Sequence, residues 1–464
     1  MYFLFVSSSM KHTYILFLLL FALHVLAQEG PQFKTIKNIQ STSDRLIDVS
    51  PSDVGIDSSL LFLNVDRIMQ QALDSGAFPG AVVLLAKDGK VFFEKAYGYH
   101  TYEAKNKVDA TDIYDLASVT KTTAATLALM KLYENGQFDL DKTMGDYWPK
   151  IAKRGKDELL MRDVLAHQAG LKAWIPYWSE SQRRNGKYRW NTVKADSSRR
   201  YPYKISDSGL WMHKDFREKK IYRMIKRTKV SDEKKYLYSG LAFYLIPEFI
   251  ERASGKSFDD YLRDEFYEPL GAYTLGFNAR ARYSLDRIVP TEEDTFFRMQ
   301  TLHGVVHDEG AAMMRGVSGN AGLFANARDL AKVYQMLLND GVYNGQRFLT
   351  PETIHEFTRV QFPDNDNRRG LGFDKPLLTY DKDLSSVARD ASPASYGHTG
   401  YTGTLIWADP ENDLLFVFLS NRVHPTRNNS KIYSLGVRPA IHNAVYELLK
   451  AEKGSYTIGY RGQD

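Results

Sequence analysis

A chain of 464 residues, 43% hydrophobic, 25% charged and 13% aromatic, has the composition of a globular protein with room for one large enzyme domain or two smaller ones. It contains no cysteine, which excludes a thiol nucleophile, a disulfide framework, Cys-ligated metal centres and lipid attachment through an N-terminal cysteine. The formal charge of +5 is small but uneven: residues 173–235 carry 18 Lys and Arg against 7 Asp and Glu, net +11, with Trp174, Trp178, Trp190 and Trp211 among them.

The N-terminal stretch predicts a cleavable export signal over residues 1–27. Met10-Lys11-His12 precedes an apolar run at 15–23, and Val25-Leu26-Ala27 stands before Gln28-Glu29. That run is shorter than the roughly 20 helical residues a bilayer needs. The expected product is exported to a bacterial periplasm or beyond the cell, with no stable membrane insertion once the signal is removed. Residues 28–57 read as a polar, irregular lead-in, 58–452 as the folded domain and 453–464 as a tail.

Within that domain, 60–73 predicts an amphipathic helix. Apolar runs at 81–86 and 90–97 surround Lys87-Asp88-Gly89, a hairpin signal. A helix is expected over 121–134, ending at Asn135-Gly136, and further helices at 241–253, 258–268 and 327–338. Apolar runs at 403–408 and 414–420 flank Asp409-Pro410-Glu411-Asn412-Asp413 as a second hairpin, and Arg438-Pro439 opens a terminal helix to about 449. Strands at both ends with helices between them predict an α+β fold. One antiparallel sheet would be built from both chain ends and flanked by helices, with a mainly helical subdomain inserted and a cleft between the two.

Three segments carry chemistry. Ser118-Val119-Thr120-Lys121 stands at the start of a helix, where positions i and i+3 share a face, so the Lys121 amine can return to the Ser118 hydroxyl. The positive end of the helix favours an oxyanion near Ser118. Tyr238 in Tyr236-Leu237-Tyr238-Ser239-Gly240 precedes another helix, and its phenol can shuttle a proton if a cation stabilises the phenolate. Tyr396-Gly397-His398-Thr399-Gly400-Tyr401-Thr402-Gly403 leads into the second hairpin, and its glycines would let a substrate lie against a strand edge. Two other signals are weak. Gly255-Lys256-Ser257 follows a helix and reads as its stop, and His303 and His307 have zinc-pair spacing but lack the adjacent Glu.

These segments stand in the order found in the serine β-lactamase and penicillin-binding protein superfamily, which the chain resembles, particularly its class C-like and esterase-like branches. Residues 165–171 look like the "LLTHTSGL" segment of those proteins, and 319–324 like "GHAGLF". Val306-His307-Asp308-Glu309 and Asn421-Arg422-Val423-His424-Pro425 are similar to the β-lactamase-like domains fused to bacterial family 3 β-N-acetylglucosaminidases. The resemblance runs from about residue 60 to 449 and implies a β-lactamase/transpeptidase-like fold. It implies Ser118 as acylated nucleophile, Lys121 as base or proton relay, and Tyr238 as the shuttle to the leaving group. It implies an oxyanion hole from the backbone N–H groups of Ser118 and Tyr401, and a substrate lined by Thr399, Gly400 and Gly240.

Two departures stand out. His398 replaces the more familiar lysine of the third segment, giving a side chain whose charge is expected to vary with pH near neutrality. Gly240 stands where relatives carry Asn or Asp, which weakens the expectation of amide or β-lactam recognition. The basic 173–235 insert lies where relatives place a variable lid; it would hold an anionic or glycan-bearing substrate, or serve as a charged cover. The resemblance thus implies an exported serine hydrolase acting through an acyl-enzyme on an ester or amide, a small-molecule or peptidoglycan-derived substrate. No metal, organic cofactor or nucleic acid is expected. The alternatives are a β-lactamase or D-Ala-D-Ala carboxypeptidase, and a non-catalytic muropeptide receptor.

Overall fold

Six strands form the central sheet: β1 (Ile47–Asp48), β2 (Gly80–Lys87), β3 (Lys90–Gly98), β4 (Tyr396–Thr399), β5 (Leu405–Asp409) and β6 (Leu414–Ser420), in the order β1-β3-β2-β6-β5-β4. The computed structural model describes residues 45–207 and 209–459; the expected export signal and the first part of the lead-in lie outside the described residues. The two chain ends meet where β2 pairs antiparallel with β6, from Ala81 opposite Ser420 to Lys87 opposite Leu414. The one parallel pair is β1 with β3. The sequence gives no sign of β1, a two-residue edge strand in a stretch expected to be irregular. At the β2–β3 turn, Asp88 and Gly89 both have positive φ, 52° and 74°. That is the paired left-handed geometry a two-residue hairpin favours.

Strands β2, β5 and β6 are apolar at nearly every position because both sheet faces are covered. Val83, Leu85, Leu405, Trp407, Phe416 and Phe418 point to one face, against helices α1 (Ser58–Asp74) and α5 (Val437–Gly459). Helix α1 presents Leu61, Val65, Met69 and Ala72 there, and Asp57 accepts from the Leu60 N–H to cap its start. Val82, Leu84, Ile406, Ala408, Leu415 and Val417 point to the opposite face, where they join the larger core containing α2 (Leu127–Glu134), α3 (Ile246–Ser254) and α4 (Ala327–Leu338). The α+β architecture expected from the sequence is the one observed. Among the described residues no helix is long and apolar enough to cross a membrane.

Residues 99–395 carry the rest of the fold. A small sheet places Leu323–Ala325 between Tyr114–Asp115 and Gly276–Phe277, with Phe324 opposite Asp115. This ties the chain just before Ser118 to the 319–324 segment. The helix expected at 121–134 is a π-helix over Lys121–Thr126 that becomes α-helical only at Leu127. Tyr267 Oη intrudes on its ladder, donating to the Thr123 carbonyl at 2.9 Å, and Tyr334 Oη donates to the Thr122 side chain at 2.8 Å. The helix expected at 241–253 opens with a 3₁₀ turn, Ala242–Tyr244, because Pro247 cannot donate to an earlier turn. It stops at Gly255 in the left-handed conformation. The basic insert folds as a three-stranded sheet with Leu210–Met212 in the middle. Its Val193, Ile205, Met212, Phe216 and Ile221 belong to the larger core.

Candidate active site

The site begins with Asp115. Its carboxylate accepts from the Ala117 N–H at 2.8 Å and the His307 N–H at 2.6 Å, which pins the turn that follows. Ala117 takes a left-handed φ of 46°, uncommon for a residue with a side chain, and Ser118 sits in a single 3₁₀ turn, Ala117–Val119. One turn on, Lys121 Nζ lies 3.0 Å from Ser118 Oγ and 3.0 Å from the Asn320 carbonyl oxygen. The i to i+3 juxtaposition expected from the sequence is present, and Lys121 is only 3% exposed.

Asn320 is itself held. Its Nδ2 donates to Tyr244 Oη at 3.1 Å, its Oδ1 accepts from Ser318 Oγ at 2.7 Å, and Tyr244 Oη donates to Asp308 at 3.0 Å. Gly240 stands beside it: a Cβ built there meets nothing nearer than Asn320 Cβ at 4.0 Å, so the position is roomy. The contact to Lys121 comes here from the Asn320 main chain.

Tyr238 is positioned by His167. The His167 carbonyl accepts from the Leu237 N–H at 2.8 Å and its Nδ1 from the Ser239 N–H at 3.3 Å. Four groups surround the Tyr238 ring. The His167 ring is 4.7 Å from it, Lys121 Nζ 5.2 Å, the Arg369 guanidinium 5.5 Å and the His398 ring 5.9 Å. The phenol oxygen is buried and has no hydrogen-bond partner among the described residues. Burial, with Arg369 and Lys121 close by, keeps His167 neutral, its pKa well below the ordinary histidine value.

The first half of the third segment is the edge strand β4, with His398 opposite Ile406 and Thr399 opposite Leu405, and residues 400–403 turn from it into β5. The segment presses on the Ser118 turn. Thr402 and Thr404 hydroxyls donate to the Asp115 and Leu116 carbonyls at 2.7 and 3.1 Å. A Cβ at Gly400 would lie 2.5 Å from the Leu116 carbonyl oxygen, so this close approach requires glycine. The backbone N–H groups of Ser118 and Tyr401 have no partner among the described residues, and both belong to this contact region. The Tyr401 side chain is half exposed, with the Arg422 guanidinium 4.5 Å from its ring.

His398 departs from expectation. Arg369 Nη2 lies 3.2 Å from its Nε2, and its Nδ1 lies 2.7 Å from the Thr399 carbonyl. A guanidinium can only donate, so Nε2 accepts and the proton sits on Nδ1. Burial, then Arg369 and Lys121, push the imidazole down to about 3. His398 is therefore neutral across the physiological range, and the expectation of a charge that varies near neutrality is corrected. The cation of this corner is Arg369, 2% exposed, held by Asp374 at 3.0 Å and the Gly372 carbonyl at 3.3 Å. Arg368 lies 2.9 Å from the same carboxylate. Burial works to raise Asp374, but Arg369 and Arg368 outweigh it and hold the carboxyl at about 2.

Sequence reasoning missed Arg369, Asp374, Asn320 and His167 as site residues. The last two lie in segments already matched to family text. Arg369 lies in Asn367-Arg368-Arg369-Gly370, a stretch with no recognisable motif. Of the insert's aromatic residues, Trp178 packs its ring 5.1 Å from Phe296, whereas Trp174 and Trp190 are exposed. Several of its cations are paired, as in Lys220–Glu180 and Lys219–Asp215. The two histidines with zinc-pair spacing have other partners: His303 Nε2 meets the Ile288 carbonyl at 2.7 Å and His307 Nε2 meets Glu292 at 2.9 Å.

A family description, Beta-lactamase, matches residues 65–435. A protein of Salmonella paratyphi A named "Putative D-alanyl-D-alanine carboxypeptidase" is 31% identical, covering 93% of this chain and 96% of its own. Among solved structures, EstCE1, described as a hydrolase with promiscuous acyltransferase activity, superposes with a TM-score of 0.58 at 21% identity, over 83% of this chain and 99% of its own. A penicillin-binding protein homologue from Caulobacter crescentus gives 0.56 at 20%, over 84% and 97%. At those identities the two structures speak for the fold. The family match and the Salmonella relative reach further, and the chain belongs to the beta-lactamase family of serine hydrolases.

Proposed function

We propose that the protein hydrolyses an ester or amide of a small, envelope- or cell-wall-related substrate through an acyl-enzyme on Ser118. The observation that carries this reading is the Lys121 amine, 3.0 Å from Ser118 Oγ and fixed by the Asn320 carbonyl. With Lys121 neutral, one N–H stays on Asn320 and the lone pair faces the serine hydroxyl. Ser118 Oγ attacks the carbonyl carbon while its proton passes to the Lys121–Tyr238 pair, whose members share the role of base. The carbonyl oxygen, now negative, accepts from the free N–H groups of Ser118 and Tyr401. The tetrahedral adduct collapses, and the leaving alcohol or amine takes its proton through the Tyr238 hydroxyl, which is unpartnered until substrate arrives. Water then attacks the acyl group by the same route in reverse. The signal-like N-terminal sequence supports export to the periplasm or beyond.

The corner near His398 favours substrates without a terminal carboxylate. His398 is neutral and the Arg369 guanidinium is already engaged by Asp374 and buried. A second reading, a D-Ala-D-Ala carboxypeptidase, is favoured by the name of the relative that is 31% identical. Steady-state kinetics on a p-nitrophenyl ester and on an acylated Lys-D-Ala-D-Ala peptide separate the two. The first reading predicts Ser118-dependent ester turnover with kcat/KM at least about tenfold above that for D-Ala release, a difference of ~1.4 kcal/mol in transition-state stabilisation. The reverse ratio establishes the carboxypeptidase reading, and binding without turnover of either establishes a receptor.

A further inference from the structure

A lysine at position 398 would put a cation on β4 beside Tyr238. Here that position holds a neutral imidazole, and the charge has moved one layer back. Two guanidinium groups, Arg368 and Arg369, share the single carboxylate of Asp374, so these three side chains together carry a net charge of +1. Arg369 is its member nearest the reacting groups: one nitrogen donates to His398 Nε2, and the guanidinium carbon lies 5.5 Å from the Tyr238 ring centroid. Its Nε is buried without a partner, so the group is placed by its outer nitrogens alone.

We infer that Arg369 is the positioning residue of the proton-transfer apparatus: it fixes the neutral His398 tautomer and supplies the positive charge against which Tyr238 exchanges its proton. This rests on the acyl-enzyme reading of Ser118. Tyr238 is faced by Lys121 from the helix start, His167 from its loop, His398 from β4, and Arg369 with Asp374 behind it. Both histidines are neutral. Lys121 Nζ, at 5.2 Å from the ring, is itself a partner in the proton exchange, so the Arg369 guanidinium at 5.5 Å is the cation that stays in place throughout the transfer. A fixed cation in a water-poor site stabilises negative charge on the phenol oxygen without reorganisation during the reaction. Arginine suits the task because it stays charged when buried and its planar fork serves the carboxylate and the imidazole together.

The test compares wild type, Arg369→Lys, Arg369→Met and Arg369→Met/His398→Lys, which returns a cation to the strand. Each is measured for kcat and KM on a p-nitrophenyl ester from pH 5 to 9, for Ser118 labelling by a fluorophosphonate, and for melting temperature. Arg369→Met is expected to lower kcat by ~10 to 100-fold with KM within about threefold. Its acidic limb moves to higher pH, because losing a neighbouring cation makes the base harder to deprotonate. Arg369→Lys keeps most of the rate, and His398→Lys in the Met background recovers at least about tenfold. A kcat within about twofold of wild type with an unmoved limb overturns the inference. So does a loss that neither lysine variant recovers. Should Arg369→Met fail to fold, Arg369→Gln, which keeps a donor for Asp374 or His398 without the charge, is read by the same limb and the same rescue. Failure of wild type to label at Ser118 overturns the acyl-enzyme reading as well; labelled wild type with unaffected variants overturns the Arg369 inference alone.

Discussion

Two glycines in the site have opposite surroundings, and substitution separates them. At Gly400 a Cβ would lie 2.1 Å from Thr404 Oγ1 and 2.5 Å from the Leu116 carbonyl, one of them main chain. Gly400→Ala is expected to push the Tyr401 turn off the Ser118 turn, costing about 1–3 kcal/mol of stability and lowering kcat more than it raises KM. Urea unfolding and ester kinetics check both. At Gly240 there is open space, and Gly240→Asn is expected to leave stability within ~0.5 kcal/mol of wild type. If the missing side chain is what disfavours amides, the variant raises the amide-to-ester ratio of kcat/KM; an unchanged ratio refutes that role. The Ser118–Lys121 contact was legible because it depends only on helical spacing. The charge of His398 was not. It depends on Arg369, which is 29 residues away in sequence and reaches the imidazole only through tertiary structure.

At the scale of elements, hydrophobic period revealed the four longest strands of the central sheet and the longer helices, because a covered sheet face and a helix stripe each impose one. What it missed were places where a side chain or a neighbour decides the backbone. Strand β4, which is not among the predicted strands, contains Gly397, where a Cβ would lie 2.1 Å from the Ile406 carbonyl of the paired strand. Glycine is what lets that edge strand form. The π-helix over Lys121–Thr126 likewise has no sequence signature, since its disturbed ladder depends on Tyr267 from a distant segment. Tyr267→Phe removes the donor to the Thr123 carbonyl inside the core and is expected to cost about 1–3 kcal/mol. A loss well below that range would show that the carbonyl finds another partner.

For the whole molecule, buried neutral histidines set the response to acid. His398 and His442 are pushed down to about 3 by burial, and His167 is pushed well below its ordinary value. In the unfolded chain each takes up a proton near pH ~6.5, whereas the native protein does not. Their contribution is therefore fully present above that pH and is lost as pH falls through the native values, about 3 for His398 and His442. The slope is ~1.4 kcal/mol per pH unit per histidine, or about 3 for His398 and His442 together. Urea unfolding at pH 5.5 and 4.5 is expected to show a fall of at least about that size, smaller by ~1.4 kcal/mol in His398→Gln. A flat response would mean that these imidazoles charge in the native state. The six-stranded sheet that closes the molecule joins both chain ends. That much could be read from the two apolar hairpins, but the acid response depends on burial that only the packed structure defines.

Intact-protein mass after fluorophosphonate treatment tests the proposed acylation of Ser118 most directly. Wild type is expected to gain one phosphonyl group, located by peptide mapping to Ser118, and Ser118→Ala to gain none. No adduct on folded wild type, or an adduct that persists in Ser118→Ala, would contradict it.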